Sequence, residues 1–171
     1  MGSANDNNPD WISLKLIEYG APVGATNKYG WNALMYEAKV RASTNVAQAL
    51  LDKGEDINNV GNDFGHSPLS VAAWHGRANF ASFLIEKGAD ISHKTIAGKS
   101  ALDIAKEKGF PKVVAVLSEA ERKREVAIRL EKDKVYSPAI RKDKYMIALT
   151  ERLKNEQYEE ALIYFDLLDL M

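Results

Sequence analysis

Apolar side chains return every three or four positions along much of the chain. Phe80, Phe83 and Leu84 do so in one stretch and Val113, Val116 and Leu117 in another, which is the spacing of one face of an α-helix. Near the C-terminus the same spacing links Met146, Leu149, Thr150 and Leu153, and then Tyr158, Ala161, Leu162 and Phe165. Residues that start and stop helices stand between the stretches. Asn32, Ser67 and Ser100 occupy N-cap positions, where a side-chain oxygen accepts a bond from an otherwise unpaired helical N–H. Pro68 follows Ser67 in the first turn, where no donor is needed. Gly20, Gly54 and Gly88 supply the left-handed residue that ends a helix, with Lys53 and Lys87 just before, at the negative end of the dipole.

This punctuation is itself periodic. Gly30, Gly65 and Gly98 form one ladder and Gly20, Gly54 and Gly88 another, with steps of 33 to 35 residues. The clearest unit reads Gly65-His66-Ser67-Pro68-Leu69-Ser70-Val71-Ala72-Ala73 and closes with Glu86-Lys87-Gly88-Ala89-Asp90-Ile91. Looser copies begin at Gly30-Trp31-Asn32-Ala33-Leu34 and at Gly98-Lys99-Ser100-Ala101-Leu102, and Leu16-Ile17-Glu18-Tyr19-Gly20-Ala21 matches the second half of one more. Taken together these residues resemble the ankyrin repeat, which has a period of about 33 residues and a Thr-Pro-Leu-His-x-Ala core. The resemblance spans residues 10–118, one half repeat plus three repeats. It implies an all-α solenoid of helix–turn–helix units with projecting β-hairpin fingers. No unit can bury its apolar face alone, so stacking supplies a continuous core.

Past residue 118 the ladder breaks, because position 121, where the next stop glycine would fall, is glutamate. Helix formers continue to the Ser137-Pro138 break, predicting one long charged helix over 119–136 with a narrow apolar stripe through Ala120, Ala127 and Leu130, largely facing water. Two more helices are expected, from Lys144 to about Lys154 and from Tyr158 to about Leu170, forming a hairpin over 137–171 that caps the solenoid by packing on it. Asn155-Glu156-Gln157 before Tyr158-Glu159-Glu160-Ala161-Leu162 resembles the turn of a tetratricopeptide unit, although the small turn glycine is missing and Arg152 stands where an aromatic belongs.

Composition changes this picture little: 46% of residues are hydrophobic, 27% are charged, and the net charge is −1. The absence of cysteine excludes disulfides, thiolate metal sites and a cysteine nucleophile. No apolar run reaches the roughly 18 residues of a membrane span, and no secretory signal is visible. That leans toward the cytoplasm, yet Met1-Gly2-Ser3 reads as a cloning remnant ahead of a disordered stretch to residue 9, which leaves secretion or a periplasmic location open. Charge is uneven in the tail: residues 120–144 hold nine Lys or Arg against five Asp or Glu, and residues 145–171 two against six. Opposite charges on adjacent helices account for this, and without interleaved aromatics the run does not predict nucleic-acid binding.

Candidate chemistry is sparse. Ala97-Gly98-Lys99-Ser100 ends like a phosphate-binding loop, but position 93, where that loop needs glycine, is histidine. His66, His75 and His93 fall on or near adjacent fingers with no carboxylate at a ligand spacing, so no metal is expected, and no catalytic signature or cofactor motif is present.

A binding surface remains. The ankyrin resemblance implies a protein partner held by the finger tips and late first-helix positions of the concave face. Here those positions are Lys28, Tyr29, Trp31, Lys39 and Val40; Asp63, Phe64, His66, Trp74 and His75; and Ile96, Lys99, Glu107 and Lys108. Turn positions are normally polar, whereas these include Tyr29, Trp31, Phe64 and Trp74, residue types that dominate interface hot spots. The expectation is a non-catalytic interaction module, monomeric apart from its partner, with no nucleic-acid or membrane ligand. An alternative is an inhibitor or immunity protein that plugs a partner enzyme with the Trp74-His75-Gly76-Arg77 corner.

Overall fold

A computed structural model describes residues 10–61 and 63–170. The expectations for residues 1–9 lie outside the described residues. The chain divides into two compact units, Met1–Ser118 and Glu119–Met171.

The first unit is built from short helices in pairs. A lone helix α1 (Trp11–Glu18) precedes α2 (Ala33–Lys39) with α3 (Thr44–Asp52), α4 (Pro68–Trp74) with α5 (Ala78–Glu86), and α6 (Ala101–Lys108) with the start of α7 (Pro111–Lys132). The polar caps expected from sequence are formed. Asn32 accepts from Met35 N–H, Ser67 from Ser70 N–H and Ser100 from Asp103 N–H, each meeting a donor that the helix itself leaves unpaired. Ser100 and Asp103 complete a reciprocal capping box. These bonds account for the serine of the fragment that looked like a phosphate loop. Gly20, Gly54 and Gly88, at φ 85°, 89° and 92°, stop the helices before them.

The inner helices stack in order, α2 against α4 and α4 against α6. Their contact rows repeat in register: Leu34, Met35 and Ala38; Leu69, Val71, Ala72 and Ala73; Leu102, Ile104 and Ala105, all buried. Ala38, Ala72, Ala73 and Ala105 are fully buried, and their small side chains let neighbouring backbones approach. Phe80, Ala81, Leu84, Val113 and Leu117 close the core from the outer helices. All helices, no strands and stacked units make this an all-α solenoid among the described residues.

The expected projecting β-hairpin fingers show no β-strand among the described residues. Two of the loops before inner helices close on themselves by a turn, with Asn27 N–H donating to the Trp31 carbonyl in one and Thr95 N–H to the Lys99 carbonyl in the other. With the Gly30 N–H to Asn27 and Gly98 N–H to Thr95 bonds, these close tight turns and do not extend into a ladder. Adjacent loops touch instead. Ile96 N–H donates to the Phe64 carbonyl at 3.0 Å, and Gly30 lies so close to Gly61 that a Cβ on either would fall inside the other's carbonyl. Behind the outer helices, Glu55 Oε2 accepts from Gly24 N–H and Asn58 Oδ1 from Asp90 N–H, tying each unit to its neighbour.

The second unit comprises the later part of α7, a 3-10 turn at Asp133–Val135, α8 (Pro138–Lys154) and α9 (Tyr158–Asp169). Helix α8 starts six residues before the expected Lys144, because Ser137 accepts from Ile140 N–H and Pro138 fits the first turn. The break at Ser137-Pro138 is thus also a start. Burial corrects the expected stripes. Tyr145, Leu149, Ala161, Tyr164 and Leu167 pack with Val126 of α7, while Met146, Thr150, Leu153, Tyr158, Leu162 and Phe165 are exposed. On α7 the inward residues are Val126 and half-buried Leu130, whereas Ala127 is exposed. The opposite charges of the tail do meet: Arg122 pairs with Asp166 and Arg152 with Glu160.

Candidate functional site

A groove opens in the first unit between the loops before α4 and α6 and the exposed ends of those helices. It encloses a cavity of about 530 Å³. Its lining comes from equivalent positions of successive repeats. Adding 33 to Val71, Trp74, His66 and Asp63 gives Ile104, Glu107, Lys99 and Ile96, and all eight line it. The period therefore builds the site as well as the stack, since each repeat sets the same two loop positions and two helix positions along one wall.

Buried Val71 and Ile104 form the floor. The wall is a row of rings. His66 stands edge-on to Trp74 at 5.7 Å between centroids and lies 6.4 Å from Phe64. Trp31, from the previous repeat, packs against the core while presenting an edge to Tyr36. Phe64 is 70% exposed, Ile96 77% and Trp74 42%, large values for apolar side chains with Leu34 and Leu84 fully buried in the same unit.

Polar groups around this apolar interior are individually positioned. The Ser70 hydroxyl lies 2.9 Å from the Ser67 carbonyl and 3.0 Å from His66 Nδ1, and so links the imidazole to the start of α4. His93 Nε2–H donates to the Gly65 carbonyl. Burial, and then the charge of His93, holds His66 below the ordinary histidine range. His75 is lowered by burial and then by Lys39 and Arg77. Both are therefore neutral at pH 7. Lys99 bonds Glu107, which holds that carboxyl below the usual range.

Of the fifteen residues with a predicted binding role, the cavity brings together Trp31, Asp63, Phe64, His66, Trp74, His75, Ile96, Lys99 and Glu107, while Val40 is exposed at the end of α2 outside it. Lys39 and Lys108 stand beside it, with Nζ atoms 5.4 Å and 3.6 Å from the Trp31 and Trp74 ring centroids. Lys28 sits over Tyr29 on the first loop, and neither lines the cavity. Arg77 does not project as part of a plug. Its guanidinium donates to the Lys39 and Val40 carbonyls at 3.0 and 3.1 Å, at the end of α2. Val71, Thr95, Ala97 and Ile104 were not anticipated. Val71 and Ile104 read as core from their apolar character, and the clue to their role is their 33-residue register with one another.

Among the described residues no cluster of three His, Asp or Glu is placed to hold a metal ion, and no helix is long and apolar enough to cross a membrane. A family model of ankyrin repeats, in three copies, matches residues 1–95. The unit from Gly98 onward lies beyond that match.

Proposed function

The chain belongs to the ankyrin-repeat family, whose repeats are generally protein-interaction modules and typically non-catalytic, and we propose that this one binds a protein partner in the groove between its loops and inner helices. The observation that supports this most is the cluster of large exposed apolar side chains, Phe64, Trp74 and Ile96, around a cavity with an apolar floor. An exposed patch of this kind disfavours solubility unless it is covered in use, and aromatics held by rigid backbone lose little entropy when they are covered. Phe64 is anchored at its backbone, where its carbonyl accepts from Ile96 N–H of the next loop.

Inhibition of a partner enzyme is the second reading, and the Trp74-His75-Gly76-Arg77 corner does not favour it as a plug. Arg77 is tied to α2, and Gly76 lies against the Phe110 ring.

Affinity capture from a native lysate tests the reading, comparing the chain with a Tyr29→Ala, Trp31→Ala, Phe64→Ala, Trp74→Ala variant after circular dichroism has shown that both fold. The expected outcome is loss of one specific partner by the variant. Retention of that partner by both would move the site off the groove. A turnover assay on the captured complex then separates a scaffold, which leaves the partner's activity unchanged, from an inhibitor, which abolishes it.

A further inference from the structure

The groove is apolar inside and positive around its rim. Three cations border it, Lys39, Lys99 and Lys108, with Arg77 behind Lys39 on its carbonyl, against two carboxylates, Asp63 and Glu107. One of those carboxylates is taken up by Lys99. Lys39 and Lys108 rest on the indole rings of Trp31 and Trp74 with no salt bridge among the described residues, Lys108 adding only a weaker pull on the Glu107 carboxyl that Lys99 bonds. Arg77 hydrogen-bonds neutral carbonyls, so its charge is positioned but not cancelled. The field of Lys39 and Arg77 is felt at His75, which it helps to keep neutral.

These features select among protein partners. A basic segment would meet like charge, and it would find ring faces of Trp31 and Trp74 already covered by lysines. A wholly apolar segment would gain nothing from the exposed cations. The volume, about 530 Å³, lies within the range of roughly 300–1,000 Å³ typical of ligand clefts, so the cavity can admit a bulky side chain. Building on the reading of the groove as a protein-binding site, we propose that its occupant is an acidic segment of the partner: one large apolar side chain enters between Trp31, Phe64 and Trp74, and flanking Asp or Glu carboxylates meet Lys39, Arg77 and Lys108. Carboxylates at these ammonium groups would gain charge-assisted bonds while the rings keep the lysines in place. A nucleic acid fits less well, because the cations ring one apolar cavity instead of tracking a backbone and the chain as a whole is at −1.

The full chain panned against a displayed library of random peptides tests this, with the Phe64→Ala, Trp74→Ala variant as counter-selection. Enriched sequences are expected to place Phe, Leu, Ile or Met between two or more carboxylates. The best of them, synthesised, is expected to change the tryptophan fluorescence, because Trp31 and Trp74 line the groove. Its affinity should fall severalfold between about 0.05 M and about 0.5 M salt. The Lys39→Glu, Lys108→Glu variant should lose about tenfold with its circular dichroism unchanged. Enrichment of neutral or basic peptides overturns the proposal, as does an affinity indifferent to salt and to charge reversal. If such peptides still depend on Phe64 and Trp74, the groove remains the binding site and only its acidic preference falls. If nothing is enriched over the counter-selected variant, both readings fail. A short DNA duplex or an anionic phospholipid vesicle that binds more tightly than the best peptide also overturns the proposal.

Discussion

His66 and His75 show how one residue type gives the groove a condition as well as a shape. Both are held neutral by burial before any other cause, and His75 also by Lys39 and Arg77. A folded-state pKa below the unfolded value means that the unfolded chain binds more protons in the window between the two, so stability rises with pH through that window and is lost as pH falls below about 6.5. Asp103 and Glu107 are lowered from 3.8 and 4.5, so their own loss of stability comes at lower pH and does not overlap. Thermal unfolding followed from pH 7.5 to pH 5.5, a span set by the histidine range, is expected to show a falling midpoint for the parent chain. A flatter line is expected for His66→Gln, His75→Gln, and equal slopes would show that the histidines do not matter. At this scale much was legible in advance. Asn32, Ser67 and Ser100 were identifiable as caps because a cap is a bond between near neighbours. Val71 and Ile104 were not identifiable as a groove floor, because an apolar residue reads as core whether one of its sides is open or not.

Elements were legible where sequence punctuates them and less so where only packing decides. The paired helices of the first unit lie between caps and glycines, and they appear where those signals put them. Helix α8 shows the limit. Leu149 belongs both to the stripe through Met146 and Leu153 and to the one through Tyr145, and periodicity cannot choose between them. The partner chooses: Tyr145 meets Tyr164 at 6.3 Å between ring centroids, and that face turns inward. The α8–α9 turn departs from local preference, since Glu156 sits at φ 57°, where an L side chain is strained by about 1–2 kcal/mol. Glu156→Gly is therefore expected to raise the stability of the second unit by up to about 1 kcal/mol, after glycine's larger unfolded-state entropy is subtracted. Urea denaturation monitored by circular dichroism measures it, and a lower midpoint would contradict it. The opposite holds for Gly30, at φ 74° with the Gly61 carbonyl where its Cβ would go. Gly30→Ala is expected to cost at least about 2 kcal/mol in the same measurement, whereas a neutral result would mean that the two loops separate easily.

At the scale of the whole molecule the two units have separate cores that share no residue. Phe80, Leu84 and Leu117 belong to one, and Val126, Tyr145 and Leu167 to the other. All three tryptophans, Trp11, Trp31 and Trp74, lie in the first unit, so their fluorescence reports on it alone while circular dichroism reports on both. Phe80→Ala removes a fully buried ring and is expected to lower the fluorescence midpoint by the equivalent of about 3–5 kcal/mol. Leu149→Ala should leave that midpoint in place while part of the circular dichroism signal melts earlier. If fluorescence and circular dichroism shift together in both variants, the units unfold as one. The solenoid of the first unit was legible because its signal recurs. The packing face of the second unit was not, because it occurs once and nothing repeats to confirm it.

The ties between successive repeats have a consequence for the history of the chain. Glu55 reaches back to Gly24 and Asn58 forward to Asp90, and the loops touch at Gly30 and Gly61 and again at Phe64 and Ile96. These ties all join one repeat to the next, although they use different atoms and offsets at each step. A duplication or loss of one period in the gene would keep the stacked inner helices in register, while the polar ties at the new junction would have to be supplied by the residues that meet there. The groove would be inherited along with it, one set of wall positions per repeat, and selection would be left to choose which side chains fill them.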